Sequence, residues 1–101
     1  MVNVGLYVRL EAKPEKEGEI ETFLRGSLPI IQSEEETVAW FALRLGPTTY
    51  GIFNAFPDDA GRQRHLSGLV AEELMRNAPD FFTQPPTIES VDVLAVKLPQ
   101  Q

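Results

Sequence analysis

The sequence of 101 residues contains no cysteine, one histidine and one tryptophan. Without cysteine, the chain cannot form a disulfide, a thiolate metal site, an iron–sulfur cluster or a cysteine nucleophile. A single histidine cannot build an ordinary transition-metal site by itself. The sequence also lacks a Gly-rich phosphate loop and a G-x-S-x-G nucleophile motif, so no pattern indicates nucleotide binding or serine hydrolysis.

Basic residues are also scarce, with 9 Lys and Arg against 15 Asp and Glu and a formal net charge of −6. This balance argues against nucleic acid and against an anionic membrane surface as partners, because both are bound through clustered Lys and Arg. No apolar run approaches the roughly 18–20 residues that cross a bilayer. The N-terminal sequence MVNVGLYVRLEA has no basic segment and no cleavage site, so we expect no signal peptide and a cytoplasmic location.

The length and composition predict one globular domain over residues 1–101. Hydrophobic residues make up 43% of the sequence and charged residues 24%, which is ordinary for such a domain. A chain of this length buries only a modest core by itself. A homodimer would therefore help to stabilise it.

The most apolar stretch lies in the middle of the chain and predicts two strands, Thr37 to Leu45 and Tyr50 to Phe56. Between them, Gly46-Pro47-Thr48-Thr49 predicts a reversal, because proline fixes φ and glycine tolerates positive φ. Both strands are apolar on both faces, which indicates that both faces of the sheet are covered. The loop length leaves open whether Trp40 shares a face with Asn54, since a one-residue change reverses the register.

The elements before this hairpin are a strand and a helix. Val4 to Glu11 alternates between apolar and mixed positions, which predicts a strand with one buried face. Pro14 and the glutamates that follow it favour the start of a helix. Pro29 lies inside the helical pattern and is expected to kink or shorten the helix near Ser27. The buried stripe of this helix comprises Ile20, Phe23, Leu24, Leu28 and Ile31.

After the hairpin, the pattern predicts a second helix and a last strand. Asp58 is suited to cap the start of the helix, and Asp59 after it favours the helix dipole. The stretch Asn77-Ala78-Pro79 is expected to end the helix. Its buried stripe comprises Leu66, Leu69, Val70 and Leu74. The last strand is expected to run from Thr87 to Leu98, long enough to extend onto a partner subunit.

The predicted order is β-α-β-β-α-β, a ferredoxin-like α+β fold. Right-handed crossovers then give a four-stranded antiparallel sheet with two helices on one face. The other face of the sheet is free to pack against a second copy with two-fold symmetry, as in a dimeric α/β barrel.

Two polar residues stand out as candidate catalytic groups. His65 lies at the edge of the apolar stripe of the second helix and could donate or accept a proton beside a cavity. The alternative is a boundary histidine bonded to the backbone. Asn54 interrupts an apolar strand and could orient a carbonyl or a phenol, because a buried amide needs hydrogen-bond partners. The alternative is a strand-end asparagine bonded to the backbone of residues 57–58.

Candidate substrate-binding residues come from the hairpin. Trp40, Tyr50 and Phe56 could line a pocket for an aromatic substrate, although such a cluster also fits a core or a dimer interface. Arg44 stands on an otherwise apolar strand and could hold an anionic group or form a salt bridge across a dimer. No metal ligand set is predicted.

Three features together resemble the antibiotic biosynthesis monooxygenase family: the β-α-β-β-α-β order, the segment AWFALRLGPTTYGIFNAFPDDAGRQRHL, and the closing IESVDVLAVKL. The resemblance covers roughly Val4 to Leu98. It implies a homodimeric α/β barrel with a pocket between sheet and helices. It also implies a cofactor-independent oxidation of a phenol-like or quinol-like substrate by O₂, with His65 shuttling protons. The absence of flavin, haem and metal motifs is compatible with that chemistry.

At some positions this sequence differs from the functional residues of the family, and these differences argue against some of the activities known in it. Haem-degrading relatives have an Asn on the first strand and a Trp after the third, where this chain has Tyr7 or Val8 and Phe56. Haem degradation is therefore disfavoured. Many members carry a carboxylate near the end of the third strand, where this chain has Asn54, so the expected general base is missing there. The main alternative to a monooxygenase is a ligand-binding or stress-response dimer. That alternative predicts a packed His65 with no connected cavity. A third possibility is an isomerase or lyase that uses His65 as its only base.

Overall fold

The computed structural model describes residues 1–99 of the chain. Gln100 and Gln101, which end the predicted domain 1–101, lie outside the described residues. The elements in order are β1 (Val4–Glu11), α1 (Glu17–Gln32), β2 (Ala39–Arg44), β3 (Thr49–Phe56), α2 (Asp59–Leu66), α3 (Leu69–Phe81) and β4 (Thr87–Asp92). Within residues 1–99, no helix combines the length and the apolar character needed to cross a membrane.

The four strands form one antiparallel sheet in the order β2-β3-β1-β4. All the helices pack on one face of it, which confirms the predicted ferredoxin-like α+β fold. The first strand has the predicted bounds, and the two hairpin strands lie within one or two residues of theirs. Each of these strands contains β-branched or aromatic residues, which pack well on a pleated surface, and they are most frequent in β3.

The register of the hairpin settles which side chains share a face. Trp40 on β2 lies directly opposite Asn54 on β3, and Leu6 on β1 lies opposite Asn54 on its other side. Because side chains alternate along a strand, Trp40, Asn54 and Leu6 all point toward the helices. This inner face is the core, and its buried members are Leu6, Val8, Leu10, Tyr50, Ile52 and Asn54.

The second predicted helix is two helices, which corrects the sequence-based assignment. Helix α2 ends at Leu66, and α3 begins at Leu69. Ser67 and Gly68 separate them because both have low helix propensity. The Ser67 N–H and hydroxyl both donate to the Gln63 carbonyl, at 3.1 and 3.0 Å. Gly68 then has an extended backbone, which ends the helix.

Neither helix ends where proline was expected to end it. Helix α1 continues through Pro29 to Gln32, so it is not shortened near Ser27. Helix α3 continues through Pro79 to Phe81. In each case a buried side chain lies beyond the proline, Ile31 in α1 and Phe81 in α3. Packing of these residues against the core outweighs the local preference of proline.

The last strand ends at Asp92, six residues earlier than predicted. Asp92 pairs with Val4, the first residue of β1. One further bond joins the Val93 N–H to the Asn3 carbonyl at 2.9 Å. Because β1 begins at Val4, the following residues have no strand beside them with which to continue the ladder. Leu94, which was expected within the strand, is 98% exposed.

Candidate functional site

A cavity of about 140 Å³ lies between the inner face of the sheet and helices α2 and α3. Most of its wall is aliphatic: Leu6, Val8, Ile52, Leu66, Val70, Ala71 and Leu74. Three polar side chains also line it: Trp40, Asn54 and His65. Met75 and Ile88 complete the wall and are themselves about half exposed. The cavity therefore reaches the surface between α3 and β4.

Two polar atoms in the cavity wall have no partner within residues 1–99. The Asn54 side chain is 1% exposed, and its Oδ1 accepts no hydrogen bond. The indole Nε1 of Trp40 is also buried and donates none. Because an unsatisfied buried polar group costs roughly 1–3 kcal/mol, these two atoms mark a place that a polar ligand or an ordered water would occupy.

The sheet holds these two groups side by side. Asn54 and Trp40 are cross-strand neighbours on β3 and β2, where facing Cβ atoms lie roughly 4.5–5.5 Å apart. Asn54 is fixed on both sides, since β3 is flanked by β1 and β2. The cavity thus presents an acceptor and a donor on a rigid backbone.

Helix α2 places His65 over the cavity and is held at three points. The Asp58 carboxylate accepts a hydrogen bond from the Gly61 backbone N–H at 3.0 Å and so caps the helix, as predicted. The Arg62 guanidinium donates to the carbonyl oxygens of Gly5 at 3.2 Å and Val91 at 3.3 Å. The two bonds from Arg62 hold the helix against β1 and β4.

His65 is 8% exposed and is held by a carboxylate. Its Nδ1 lies 2.8 Å from Oε1 of Glu34, and the same oxygen accepts a hydrogen bond from the Thr37 hydroxyl at 2.7 Å. Because a carboxylate only accepts, Nδ1 carries a hydrogen, so in the neutral ring the lone pair is on Nε2. The ring packs on Phe56 at a centroid distance of 5.4 Å.

His65 lies between the cavity and a surface groove. The groove has a volume of about 450 Å³ and is lined by residues 33–37, Gly61, Arg64 and His65. Arg64 forms an ion pair with Glu36 across it, with Nη2 and Oε2 2.5 Å apart. Because His65 and Glu34 belong to this wall, they offer a route for a proton between the cavity and solvent.

The structure thus brings three of the six predicted site residues around one cavity: Trp40, Asn54 and His65. Phe56 lies behind His65 and is fully buried. Tyr50 and Arg44 lie at a different place, a depression of about 200 Å³ beside helix α1.

Glu34 is the candidate functional residue that sequence reasoning missed. It belongs to the polar run 33–36, which reads as a solvated connection. No local spacing links it to His65, because the pair is 31 residues apart. Only the packing of α2 against the loop after α1 brings the two side chains together.

Around Tyr50, a hydrogen-bond network joins β2 and β3 to α1. The Tyr50 hydroxyl donates to Oε2 of Glu21 at 2.7 Å, and Arg44 forms an ion pair with the same oxygen. The bond from Tyr50, followed by that from Arg44, lowers the pKa of Glu21 below its usual 4.5. Burial, and then the bond to Glu21, raises the pKa of Tyr50 above 10.0. The network connects the hairpin to α1 through Glu21.

The lowered pKa of Glu21 predicts an acid-dependent loss of stability. A carboxyl group with a lower pKa in the folded state stabilises the fold above its unfolded-state pKa, and this contribution is lost as pH falls through the folded-state pKa. We expect the free energy of unfolding, measured by urea titration, to fall as pH drops below 4.5. Glu21→Gln should flatten this dependence. Glu35→Gln is the control, because Glu35 is exposed; an equal effect of both variants would contradict the assignment.

Within residues 1–99, no group of three or more His, Asp or Glu side chains could hold a metal ion.

No family model matches the sequence, and no curated protein matches it.

Several solved structures do match the chain. NE2512, a protein of unknown function from Nitrosomonas europaea, is 50% identical over 100% of this chain and 98% of its own, with a TM-score of 0.96. Rv0793 from Mycobacterium tuberculosis is 10% identical, with a TM-score of 0.82 over 93% of this chain and 97% of its own. An antibiotic biosynthesis monooxygenase is 16% identical, with a TM-score of 0.78 over 91% of this chain and 99% of its own. The last of these likenesses confirms, at the level of the fold, the expected resemblance to antibiotic biosynthesis monooxygenases.

Proposed function

Because the chain belongs to the same family as NE2512 of Nitrosomonas europaea and has the fold of an antibiotic biosynthesis monooxygenase, we propose that it is a homodimeric, cytoplasmic, cofactor-independent monooxygenase. Its substrate is a small aromatic hydroxy compound, a phenol or quinol, that O₂ oxidises in the cavity. The observation that carries this proposal is the unpartnered pair Asn54 and Trp40 in an aliphatic cavity beside the Glu34–His65 pair.

The reaction balances without an external reductant. A phenol and O₂ give a quinone and water: one oxygen atom becomes the new carbonyl oxygen on the ring, and the other leaves as water. The C–H hydrogen at that ring position and the hydroxyl hydrogen both end in the water. All four electrons that reduce O₂ come from the substrate, so the protein needs only to move protons and hold the ring.

His65 is the group that moves those protons. Its Nε2 takes the hydroxyl proton and gives a phenolate, which is the form electron-rich enough to react with O₂. After oxygen has added to the ring, the same nitrogen gives this proton to the peroxide. It then takes the C–H hydrogen from the same ring carbon, as the O–O bond breaks and the new carbonyl forms, and it passes that hydrogen to the leaving hydroxide, which becomes water. The Glu34 carboxylate stabilises the protonated imidazole between these steps and keeps Nδ1–H in place.

Asn54 and Trp40 position the substrate oxygen. Asn54 Oδ1 accepts a hydrogen bond from the neutral hydroxyl, and the Trp40 indole N–H donates a hydrogen bond to the hydroxyl oxygen. When the O–H bond rotates toward His65 and the proton is lost, the indole N–H remains and stabilises the phenolate. In a cavity walled by Leu, Val and Ile, such a hydrogen bond is stronger than it is in water.

The homodimer is proposed from the outer face of the sheet. This face carries an apolar cluster that we call the outer patch, formed by Tyr7, Phe41, Leu43, Leu45 and Phe53. Phe41 is 50% exposed, Leu43 39% and Leu45 45%. A contiguous apolar surface of this kind marks an interaction site. Strand pairing places Phe41, Phe53 and Tyr7 in one row across three strands, which suits a two-fold contact with a second copy.

Oxygen uptake tests the proposed function. We expect purified protein to consume O₂ with phenols or hydroquinones, at one O₂ per quinone formed from a phenol or per hydroxyquinone formed from a hydroquinone, and to place one atom of labelled O₂ in the product. Asn54→Leu should lose this activity and keep its stability, because replacing an unsatisfied buried amide by an apolar side chain of similar size is nearly neutral. Uptake no faster than in buffer with every compound, or full uptake by Asn54→Leu, would contradict the proposal. Saturable binding without uptake would instead favour a ligand-binding dimer.

The cavity helps to distinguish a monooxygenase from a ligand-binding dimer. The binding alternative predicts a packed His65 with no connected cavity. His65 is indeed packed and hydrogen-bonded, but it also lines an internal cavity. This connection favours the enzyme.

A further inference from the structure

We propose that the cavity accepts a substrate with a single aromatic ring, held by one hydroxyl group between Trp40 and Asn54, and that it excludes fused-ring compounds. This inference rests on the proposed function for its choice of an aromatic ring, and it names the substrate class of that same site. Three properties of the cavity lead to it: its volume, its polar atoms and the direction of its opening.

The volume sets the number of rings. The cavity holds about 140 Å³. An engineered aliphatic cavity of about 150 Å³ in another protein binds benzene. One aromatic ring therefore fits, whereas a second fused ring would need the aliphatic wall to move. That movement is opposed because interiors are close-packed.

The polar atoms set the functional group. One buried acceptor, Asn54 Oδ1, and one buried donor, Trp40 Nε1, lack partners. A single hydroxyl can donate to the first and accept from the second. With Asn54 Oδ1 directed into the cavity, a carbonyl could accept from Trp40 but would leave Oδ1 unpaired. The pair is therefore complementary to a hydroxyl.

The opening sets the orientation of the ring. The exposed wall residues are Met75 and Ile88, and Ile88 belongs to β4, at the edge of the sheet. Asn54 lies two strands further in, on β3, roughly 10 Å away at the usual strand spacing. The hydroxyl is thus at the inner end, and ring substituents opposite it point toward the opening.

The single tryptophan provides a direct test. The chain has one indole N–H, so its proton NMR resonance reports on Trp40 alone. Titrations are performed without oxygen, so that binding is measured apart from oxidation. We expect phenol to move this resonance downfield in a saturable manner. Benzene should bind at least about tenfold more weakly, since it leaves both polar atoms unpaired. The fused-ring compound 2-naphthol should not bind.

Two alanine substitutions separate the cavity from other binding places. Ala71 on α3 lines the cavity, so Ala71→Leu fills it and should abolish phenol binding. Ala60 on α2 is exposed, so Ala60→Leu makes the same change outside the cavity and should bind phenol as the native protein does. A normal circular dichroism spectrum and cooperative unfolding show that each variant is folded.

Several results would overturn the inference. It fails if 2-naphthol binds as tightly as phenol, or if Ala71→Leu binds phenol normally. It also fails if no compound moves the indole resonance, because water alone then satisfies Asn54 and Trp40. Phenol binding without oxygen uptake would leave the inference standing and remove the proposed function. Oxygen uptake restricted to fused-ring substrates would do the reverse.

Discussion

Replacing His65 by alanine is expected to lower the rate of oxygen uptake by about 10²–10⁴-fold, the usual contribution of a positioned acid–base group. His65 is the only histidine in the chain. Its Nδ1 is held by Glu34 at 2.8 Å, which leaves Nε2 to take the substrate proton. The effect should fall on kcat, with little change in the anaerobic affinity for phenol, because Asn54 and Trp40 still hold the hydroxyl.

The matched control for this substitution is Arg64→Ala. Arg64 precedes His65 on the same helix, is exposed, and pairs with Glu36 in the groove outside the cavity. We expect it to retain oxygen uptake within about twofold, since exposed ion pairs contribute little. If His65→Ala also retained uptake within twofold, His65 would not be the proton acceptor.

Glu34→Gln tests the partner of His65 without removing a hydrogen bond. The amide can donate to Nδ1, which would move the ring hydrogen to Nε2 and remove the lone pair that the reaction needs. We expect a loss between about 10- and 10⁴-fold in kcat, as when the carboxylate of a catalytic triad is replaced by an amide. Glu34→Asp should recover part of the rate. Equal rates for the native protein and Glu34→Gln would exclude a positioning role for Glu34.

Replacing Phe41 by glutamate is expected to separate the proposed dimer into monomers. Half of the Phe41 side chain is exposed in the protomer, so its burial in the interface contributes about 1 kcal/mol. A carboxylate buried in its place costs several kcal/mol more. Because a two-fold interface carries each change twice, the dissociation constant should rise by at least about 10³-fold.

Sedimentation equilibrium at micromolar concentration measures this change. The native protein should sediment at twice the chain mass of 11.3 kDa, and Phe41→Glu at that mass. Leu28→Glu is the control, because Leu28 is similarly exposed on helix α1, on the other side of the sheet. It should remain dimeric. A monomeric native protein would remove the dimer from the proposal.

The β elements were predictable because their patterns are short and strong. Alternation defines β1, and the loop Gly46-Pro47-Thr48-Thr49 defines the reversal between β2 and β3. The end of β4 was not predictable. Residues 93–98 remain apolar and strand-like in sequence, and only the pairing of Asp92 with Val4 at the start of β1 shows where the ladder stops.

The helix boundaries show the limit of local rules more clearly. Pro29 and Pro79 each satisfy a local rule for ending a helix, yet Ile31 and Phe81 beyond them pack into the core. The break at Ser67–Gly68 is the opposite case. Both residues have low helix propensity, but the apolar stripe runs through this break at helical spacing and hides it.

From the sequence, a member of the candidate site could be predicted only where a polar residue interrupts or borders an apolar pattern. Asn54 in an apolar strand and His65 at the edge of an apolar stripe are such residues, and both line the cavity. Trp40 joined them only once the register was known. Tyr50 and Arg44 belong to the same hairpin but lie beside Glu21, because their partner on α1 could not be read from the hairpin alone.

The central claim is that oxidation takes place inside the cavity beside Asn54, Trp40 and His65. The most direct test is the rate of phenol-dependent oxygen uptake by Ala71→Leu, which fills this cavity, compared with Ala60→Leu, which does not. We expect Ala71→Leu to consume oxygen no faster than buffer does, and Ala60→Leu to match the native protein. Equal oxygen uptake by both variants would place the reaction elsewhere and contradict the account.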